Sequence, residues 1–226
     1  MSRPLAIVRP QPGWDATAQA ARERGIAVIG HPLFVAEPLE WEAPEGPFDA
    51  ILAGSAAVFR EGGPGLTGLR SLPVLAVGKA TARAAEEVGF DVAMIGTGGL
   101  QGVLDQAPPV FTRMLRLAGE ERVDLRGAEG RTITDRVVYR MRALPLADGF
   151  MRTLATGNAL VALHSAAAAR HFAAECDRSG LARGALEILA LGPRIAQAAG
   201  EGWAAVHTCA TPADATLIGK AAALCQ

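Results

Sequence analysis

Aromatic side chains and lysines are scarce in this chain of 226 residues. The sequence has 7 Phe, 3 Trp and 1 Tyr, so a folded core has to be built from aliphatic side chains and alanine. Half of the residues are hydrophobic and the mean hydropathy is +0.22, which argues against a disordered chain. Lys79 and Lys220 are the only lysines among 22 basic residues. We interpret this arginine bias as a consequence of genomic base composition.

Cysteine, histidine, net charge and long apolar runs are also limited. Three cysteines without a C-x-x-C spacing exclude a disulfide framework and are typical of a reducing cytoplasm. The four histidines show no metal-ligand spacing. A net charge of −1 disfavours a non-specific nucleic-acid binder. The apolar run at residues 5–8 is too short for a secretory signal, and residues 153–169 are too polar and too few for a membrane span. We therefore expect a cytoplasmic protein with no metal, nucleic-acid or membrane partner.

Short apolar runs alternate with helical segments along the chain. Residues 5–8 and 26–29 predict strands on either side of a helix over 16–24, and such a β–α–β unit implies a parallel sheet. Residues 31–47, with four Pro and four Glu, predict an extended connection, and 61–69 predict a Gly-rich loop. Further strands are predicted over residues 49–53, 74–77, 92–95, 159–163, 188–191 and 203–208.

One strand–turn–helix pattern occurs twice. The segment ILAGSAA at 51–57 is similar to VALHSAA at 161–167, and each is followed by a strand, a glycine (Gly78 or Gly192) and a helix. This duplication predicts two similar α/β halves whose strand ends present backbone N–H groups to a polyanionic ligand. Taken singly, Ser55 and Ser165 are most simply helix N-caps, and their paired occurrence favours the ligand-binding alternative.

Motifs for cofactors and covalent catalysis are missing from the sequence. There is no P-loop and no G-x-S-x-G turn, and Cys176 lies in a predicted helix as a packed, inert thiol. Residues 96–102 are Gly-rich, but the third glycine of a dinucleotide fingerprint is misplaced by one position. A nucleotide-dependent enzyme therefore stays a disfavoured alternative. An enzyme with this sequence would work through positioning and proton transfer.

Several segments together resemble the uroporphyrinogen-III synthase family. Each is weak alone, but their order, spacing and coverage of nearly the whole chain make the resemblance specific. They are VRP (8–10), ILAGSAAV (51–58), VLAVGKATA (74–82) with GF (89–90), VVYR (137–140), LHSA (163–166) with Phe172, LALGP (189–193) and ATP (210–212).

The resemblance implies two similar parallel-sheet α/β domains joined by a two-stranded linker, with the inner domain inserted in the outer one. On this sequence, residues 1–34 and 144–226 would form the outer domain and 38–140 the inner domain. The linker would be residues 35–37 and 141–143, with the returning strand over 139–146.

The resemblance also implies a reaction. Hydroxymethylbilane, a linear tetrapyrrole with eight carboxylates, would lose its terminal hydroxyl as water and close with inversion of the last pyrrole ring, in the biosynthesis of haem, chlorophyll and cobalamin. Closure without the enzyme gives the symmetrical type I isomer, so catalysis would consist mainly of holding one conformation, with general-acid help for the leaving hydroxyl. The family needs no cofactor. A monomer is expected, with transient handover of substrate from hydroxymethylbilane synthase.

Site residues follow from the same resemblance. Tyr139, the only tyrosine, falls where the family has its proposed acid, and a phenol is a neutral proton donor at pH 7. Packing of its ring on a linker strand is the alternative. The implied substrate-binding residues are Arg9, Ser55, Gly78, Lys79, Thr81, Arg140, Ser165, Gly192, Arg194 and Thr211; the alternatives are helix caps for the hydroxyls and solvated surface charge for the cations.

The sequence departs from the family pattern in three places. Ile195 occupies the position equivalent to Thr81 in the second half, Gly54 and His164 precede the two serines where Thr is common, and residues 125–130 are short where relatives carry a longer helix. A sensor that binds a small anion on the same fold is the second hypothesis.

Overall fold

The computed structural model describes residues 3–127 and 130–226. The expectation for a shortened segment at 125–130 therefore lies partly outside the described residues. The chain divides into two compact units: Met1–Val35 with Ala143–Gln226, and Ala36–Arg142. We call them the outer unit and the inner unit. The finer limits expected above for two domains and a linker stay a prediction.

Strands and helices alternate along most of the chain. The strands are β1 Leu5–Ile7, β2 Val28–Gly30, β3 Phe34–Pro38, β4 Ala50–Ala53, β5 Val74–Val77, β6 Val92–Gly96, β7 Arg113–Gly119, β8 Thr132–Ala143, β9 Leu160–Leu163, β10 Glu187–Ala190 and β11 Ala205–Thr208. The α-helices are α1 Gly13–Arg22, α2 Ala57–Glu61, α3 Gly78–Glu87, α4 Leu100–Gln106, α5 Asp148–Ala155, α6 Ala166–Ser179, α7 Pro193–Ala199 and α8 Asp214–Leu224.

The outer unit contains a five-stranded sheet in the order β11-β10-β9-β1-β2. All of its described pairs are parallel, so the strands end at one common carboxyl edge. Alternate residues of each strand face opposite layers: Ala6 and Val161 pack with α5, α6 and α7, whereas Leu5 and Leu160 pack with α1 and α8. Cover on both faces explains why β1 and β9 are apolar throughout.

The inner unit contains a six-stranded sheet in the order β3-β8-β7-β4-β5-β6. The pairs β7–β8, β4–β7, β4–β5 and β5–β6 are all parallel. Ile51 and Leu115 pack with α2 and α3 on one face, and Leu52 and Met114 pack with α4 on the other. The expected class of a parallel-sheet α/β protein is thus confirmed.

Several elements differ from the sequence-based expectation. The prediction of a Gly-rich loop at 61–69 is wrong in part, because Gly63–Leu69 forms a 3₁₀ helix. This helix buries Leu66 and Leu69, which lie three residues apart. The extended connection at 31–47 contains strand β3. The returning strand runs over 132–143 rather than 139–146, since polar residues at its start hide the strand pattern.

Candidate functional site

The inner unit has a cavity of about 460 Å³ at the carboxyl edge of its sheet. Residues that follow or end β4, β5, β6 and β7 surround it, together with one side chain from β8. The lining residues are Gly54, Ser55, Val58, Val77, Gly98–Gln101, Arg116–Gly119, Glu121–Leu125 and Tyr139. Ligands of parallel α/β sheets bind at such edges, so this cavity is the candidate site.

Tyr139, the only tyrosine of the chain, lines the cavity. The residue is 8% exposed, and its ring packs in the core formed by β4, β7, α2 and α3. Its Oη forms no hydrogen bond with any described residue. This oxygen is not fully buried, so it remains accessible from the cavity. A buried ring with an unpaired hydroxyl at a cavity can donate a proton to a bound molecule.

Two strand–helix turns border the same edge. At the first, Ser55 Oγ accepts a hydrogen bond from the Ala57 backbone N–H at 3.2 Å. At the second, Gly78 has φ = +77°, a conformation that residues with a side chain rarely adopt. Behind it on α3, Lys79 is exposed and Thr81 is buried. Of these predicted residues, Ser55 lines the cavity with Tyr139, whereas Gly78, Lys79 and Thr81 do not.

A buried arginine fixes the segment that covers the cavity. Arg116, on β7, is 5% exposed. Its Nη2 donates to the Val123 carbonyl at 2.7 Å, and its Nη1 lies 3.5 Å from Asp135 Oδ2. Gln101 Oε1 accepts from the Arg126 N–H at 2.8 Å, which ties the same segment to α4. Sequence reasoning missed Arg116, although a charged residue inside the apolar run MLRLA was a usable signal.

Arg140, the neighbour of Tyr139, is engaged elsewhere. Its guanidinium forms an exposed ion pair with Glu37 at 3.2 Å, and Arg142 binds the same carboxylate. The two arginines, Arg142 first, hold the pKa of Glu37 below its usual range. Arg140 would have to leave Glu37 in order to bind a substrate carboxylate.

The carboxyl edge of the outer unit carries a closed hydrogen-bond network. Arg9, which follows β1, donates from Nη1 to Thr17 Oγ1 at 3.0 Å and to Asp214 Oδ2 at 2.8 Å. Thr17 Oγ1 also donates to the same carboxylate oxygen at 3.2 Å. The predicted substrate ligand Arg9 is therefore paired with the first residue of α8.

His164 lies beside this network without joining it. Its side chain is 6% exposed, and Nε2 is 3.5 Å from Asp214 Oδ1. Neither ring nitrogen has a hydrogen-bond partner among the described residues. Burial, and then the positive charge of Arg9, lower the pKa of His164 to about 4, although Asp214 acts in the opposite direction. The imidazole is thus neutral at pH 7, and the contact with Asp214 is not an ion pair.

The remaining predicted residues lie at helix starts and in loops of the outer unit. Ser165 caps α6, with its Oγ accepting from the Ala168 N–H at 3.1 Å. Gly192 immediately precedes α7, and Arg194 is exposed at the start of that helix. Thr211 contacts Thr216 Oγ1 at 2.8 Å. The alternative that Thr211 caps a helix is wrong, because α8 begins three residues later, at Asp214.

The described residues offer neither a metal site nor a membrane-spanning helix. Within residues 3–127 and 130–226, no three His, Cys, Asp or Glu side chains form a group that could hold a metal ion. In that same part of the chain, none of the helices has the length and apolar character needed to span a bilayer.

Solved structures share the fold of this chain. A uroporphyrinogen-III synthetase from Helicobacter pylori 26695 is similar with a TM-score of 0.66 and 16% identity, covering 98% of this chain and 99% of that chain. A mutant uroporphyrinogen III synthase from the extremely thermophilic bacterium Thermus thermophilus gives a TM-score of 0.50 and 18% identity, with 99% and 100% covered. At these identities the likeness establishes the fold.

Comparison of the sequence with a family model identifies the family of this chain. The family model described as uroporphyrinogen-III synthase HemD matches residues 15–219. This chain belongs to the uroporphyrinogen-III synthase family, which confirms the resemblance seen in the sequence and makes it a lyase of tetrapyrrole synthesis. No curated protein gives a significant sequence match.

Proposed function

We propose that this chain cyclises hydroxymethylbilane to uroporphyrinogen III and that Tyr139 protonates the departing hydroxyl. The observation that carries the acid assignment is a phenol oxygen, on a buried ring at the cavity of the inner unit, that forms no hydrogen bond with any described residue. At about 460 Å³ the cavity has the volume of a small-molecule site. It suits the reacting end of the substrate rather than the whole tetrapyrrole.

The reaction balances with a single proton donor. The Tyr139 hydroxyl gives its proton to the terminal hydroxyl as the C–O bond breaks, and water leaves an azafulvene cation. The last pyrrole attacks through its substituted carbon and forms a spiro-pyrrolenine. The original bond from that carbon to the methylene of the neighbouring ring then breaks and gives a second azafulvene cation, which the unsubstituted α-carbon of the last ring attacks, so that the ring is inverted. The ring carbon that becomes aromatic loses a proton, which restores the phenol. The net change is loss of one water, so neither an oxidant nor a reductant is required.

We assign binding of the eight substrate carboxylates to the predicted cations and N–H donors. Lys79 and Arg194 are exposed and have no ion-pair partner among the described residues, which supports their role as free carboxylate ligands. Arg9 and Arg140 would exchange Asp214 and Glu37 for substrate. The turns proposed to supply N–H or hydroxyl donors contain Ser55, Gly78, Thr81, Ser165, Gly192 and Thr211.

A monomer that works in the cytoplasm is part of the same proposal. Cys176, Cys209 and Cys225 are all buried and unpaired, and burial raises the pKa of Cys176 to about 12, so the thiols behave as packing groups in a reducing compartment. Because hydroxymethylbilane closes spontaneously to the wrong isomer, direct handover from hydroxymethylbilane synthase would limit that loss.

The test is incubation of the pure protein with freshly generated hydroxymethylbilane, followed by oxidation and separation of the uroporphyrin isomers. The expected result is type III in excess over a protein-free control. Type I alone, formed at the uncatalysed rate, would contradict the proposal and would leave a binding protein on the same fold.

A further inference from the structure

We propose that Gly119 is a positioning residue for Tyr139: its missing side chain, together with a β-bulge opposite it, forms the seat that holds the phenol at the cavity. The effect on catalysis rests on the function proposed above. The seat itself is a statement about structure and can be tested separately.

The bulge explains how two consecutive residues of β8 enter the same core. Ala118 pairs with Val137, but the next residue, Gly119, pairs with Tyr139. Val138 is thus the extra residue, and successive side chains no longer alternate between faces. Val138 and Tyr139 are both buried in the core with α2 and α3. In a regular strand one of them would face the opposite layer.

Gly119 provides the space for the ring. A Cβ at this position would lie 2.7 Å from Tyr139 Cζ, 3.0 Å from Oη and 3.1 Å from Cε2. These distances are below van der Waals contact, and all three atoms belong to the phenol end of the ring. Gly119 is not among the glycines with positive φ, so its backbone would accept an alanine. The contact with Tyr139, and not backbone conformation, requires the glycine.

The backbone at the seat is also fixed. The Glu120 N–H donates to the Tyr139 carbonyl at 2.9 Å, immediately after the bulge. Because the main chain of Tyr139 is held, a clash at Gly119 has to be relieved by rotation of the Tyr139 side chain. We expect such a rotation to move Oη from its position at the cavity.

The single tyrosine makes the seat directly observable. In protein labelled with [ζ-¹³C]tyrosine, one signal is expected, and Tyr139→Phe removes it. Gly119→Ala should shift this signal, because the new methyl group lies against Cζ. The matched control is Gly68→Ala, whose Cβ would have no neighbour within 4 Å and which should leave the signal in place. An unmoved signal in Gly119→Ala would overturn the proposal.

Steady-state kinetics then test two statements separately: that Gly119 positions the Tyr139 ring, and that Tyr139 is the acid. Gly119→Ala should lower kcat about as far as Tyr139→Phe, by about 10²-fold, with KM within about twofold. The double variant Gly119→Ala/Tyr139→Phe should have the same kcat as either single variant, because both substitutions remove the same contribution of the Tyr139 hydroxyl. A shifted signal with wild-type kcat would support the seat and contradict the role of Tyr139 as the acid.

A double-mutant cycle covers the case in which Gly119→Ala folds poorly. Tyr139→Leu removes the ring that the new methyl group meets. Gly119→Ala should therefore lower the melting temperature less in the Tyr139→Leu background than in the wild type. An equal decrease in both backgrounds would show that Gly119 does not act through Tyr139.

Discussion

The two sheets carry the same strand–turn–helix unit at their carboxyl edges, but the polar groups beyond the strands are used differently. At the inner edge, Tyr139 presents to a cavity of about 460 Å³ a hydroxyl that forms no hydrogen bond with any described residue. At the outer edge, Arg9, Thr17 and Asp214 satisfy one another, and His164 is buried beside them.

The two edges therefore offer different chemistry. A hydroxyl with no internal partner is available for proton transfer, whereas a guanidinium already paired with a carboxylate can take part only by exchanging that partner. We therefore assign the proton donor to the inner edge, and to the outer edge an ion-pair network that a substrate carboxylate can enter.

The largest expected effect comes from removing the free hydroxyl. Tyr139→Phe should lower kcat by about 10²-fold, equivalent to about 3 kcal/mol, because general-acid help for the leaving group is lost. KM should change little, since the ring remains. Steady-state kinetics with hydroxymethylbilane measure both values. Thr153→Val, which removes an exposed hydroxyl of α5, is the control and should behave as the wild type.

The buried imidazole of the outer edge should make stability depend on pH. The pKa of His164 is about 4 in the folded protein and about 6.5 in an unfolded chain. Between these values the unfolded state binds the extra proton, so the free energy of unfolding should fall by about 2 kcal/mol from pH 7 to pH 5 through this group. Urea titrations of the wild type and His164→Asn test this. Parallel pH profiles of the two proteins would contradict the assignment.

Breaking the ion pair of the outer edge should affect substrate binding more than turnover. Arg9→Gln is expected to raise KM by about tenfold, or about 1.4 kcal/mol, while kcat stays close to wild type. Arg3→Gln is the matched control, because Arg3 pairs with Glu187 in the same unit but precedes β1, at the opposite edge of the sheet. An equal rise in KM for both variants would mean that Arg9 acts through stability.

The smallest expected effect distinguishes the two serines. Ser165→Ala should lower the free energy of unfolding by about 1 kcal/mol, because Ser165 is the N-cap of the 14-residue helix α6. Ser55→Ala should lower it less, since the Ser55 hydroxyl bonds, among the described residues, only to the Ala57 N–H beside a five-residue helix. Denaturant unfolding of both variants provides the comparison, and a larger loss for Ser55→Ala would reverse the structural ranking.

The apolar strands were predictable because each is a short run covered on both faces. Those over 49–53, 74–77 and 188–191 are confirmed to within one residue at each end. Strand β7 was not foreseen, since Arg113 and Arg116 interrupt its pattern. Arg113 pairs with Asp49, which is distant in sequence, and Arg116 binds the Val123 carbonyl on a loop. Local sequence patterns do not reveal such partners.

The candidate site was predictable only in part. Tyr139 and Ser55 were named from the sequence and line one cavity, while their roles stay predictions. Gly119 gave no signal, because its significance depends on a ring 20 residues later and on a register shift between β7 and β8. The pairing of Arg9 with Asp214 likewise depends on a contact across more than 200 positions of the chain.

The most direct measurement of the central claim uses two substrates that differ only in the leaving group. An acetoxymethyl analogue of hydroxymethylbilane expels acetate, which needs no proton to depart, whereas the natural hydroxyl does. If Tyr139 is the acid of the inner edge, Tyr139→Phe should be about 10²-fold slower than wild type with hydroxymethylbilane and nearly equal to it with the analogue. The same deficit with both substrates would contradict the account.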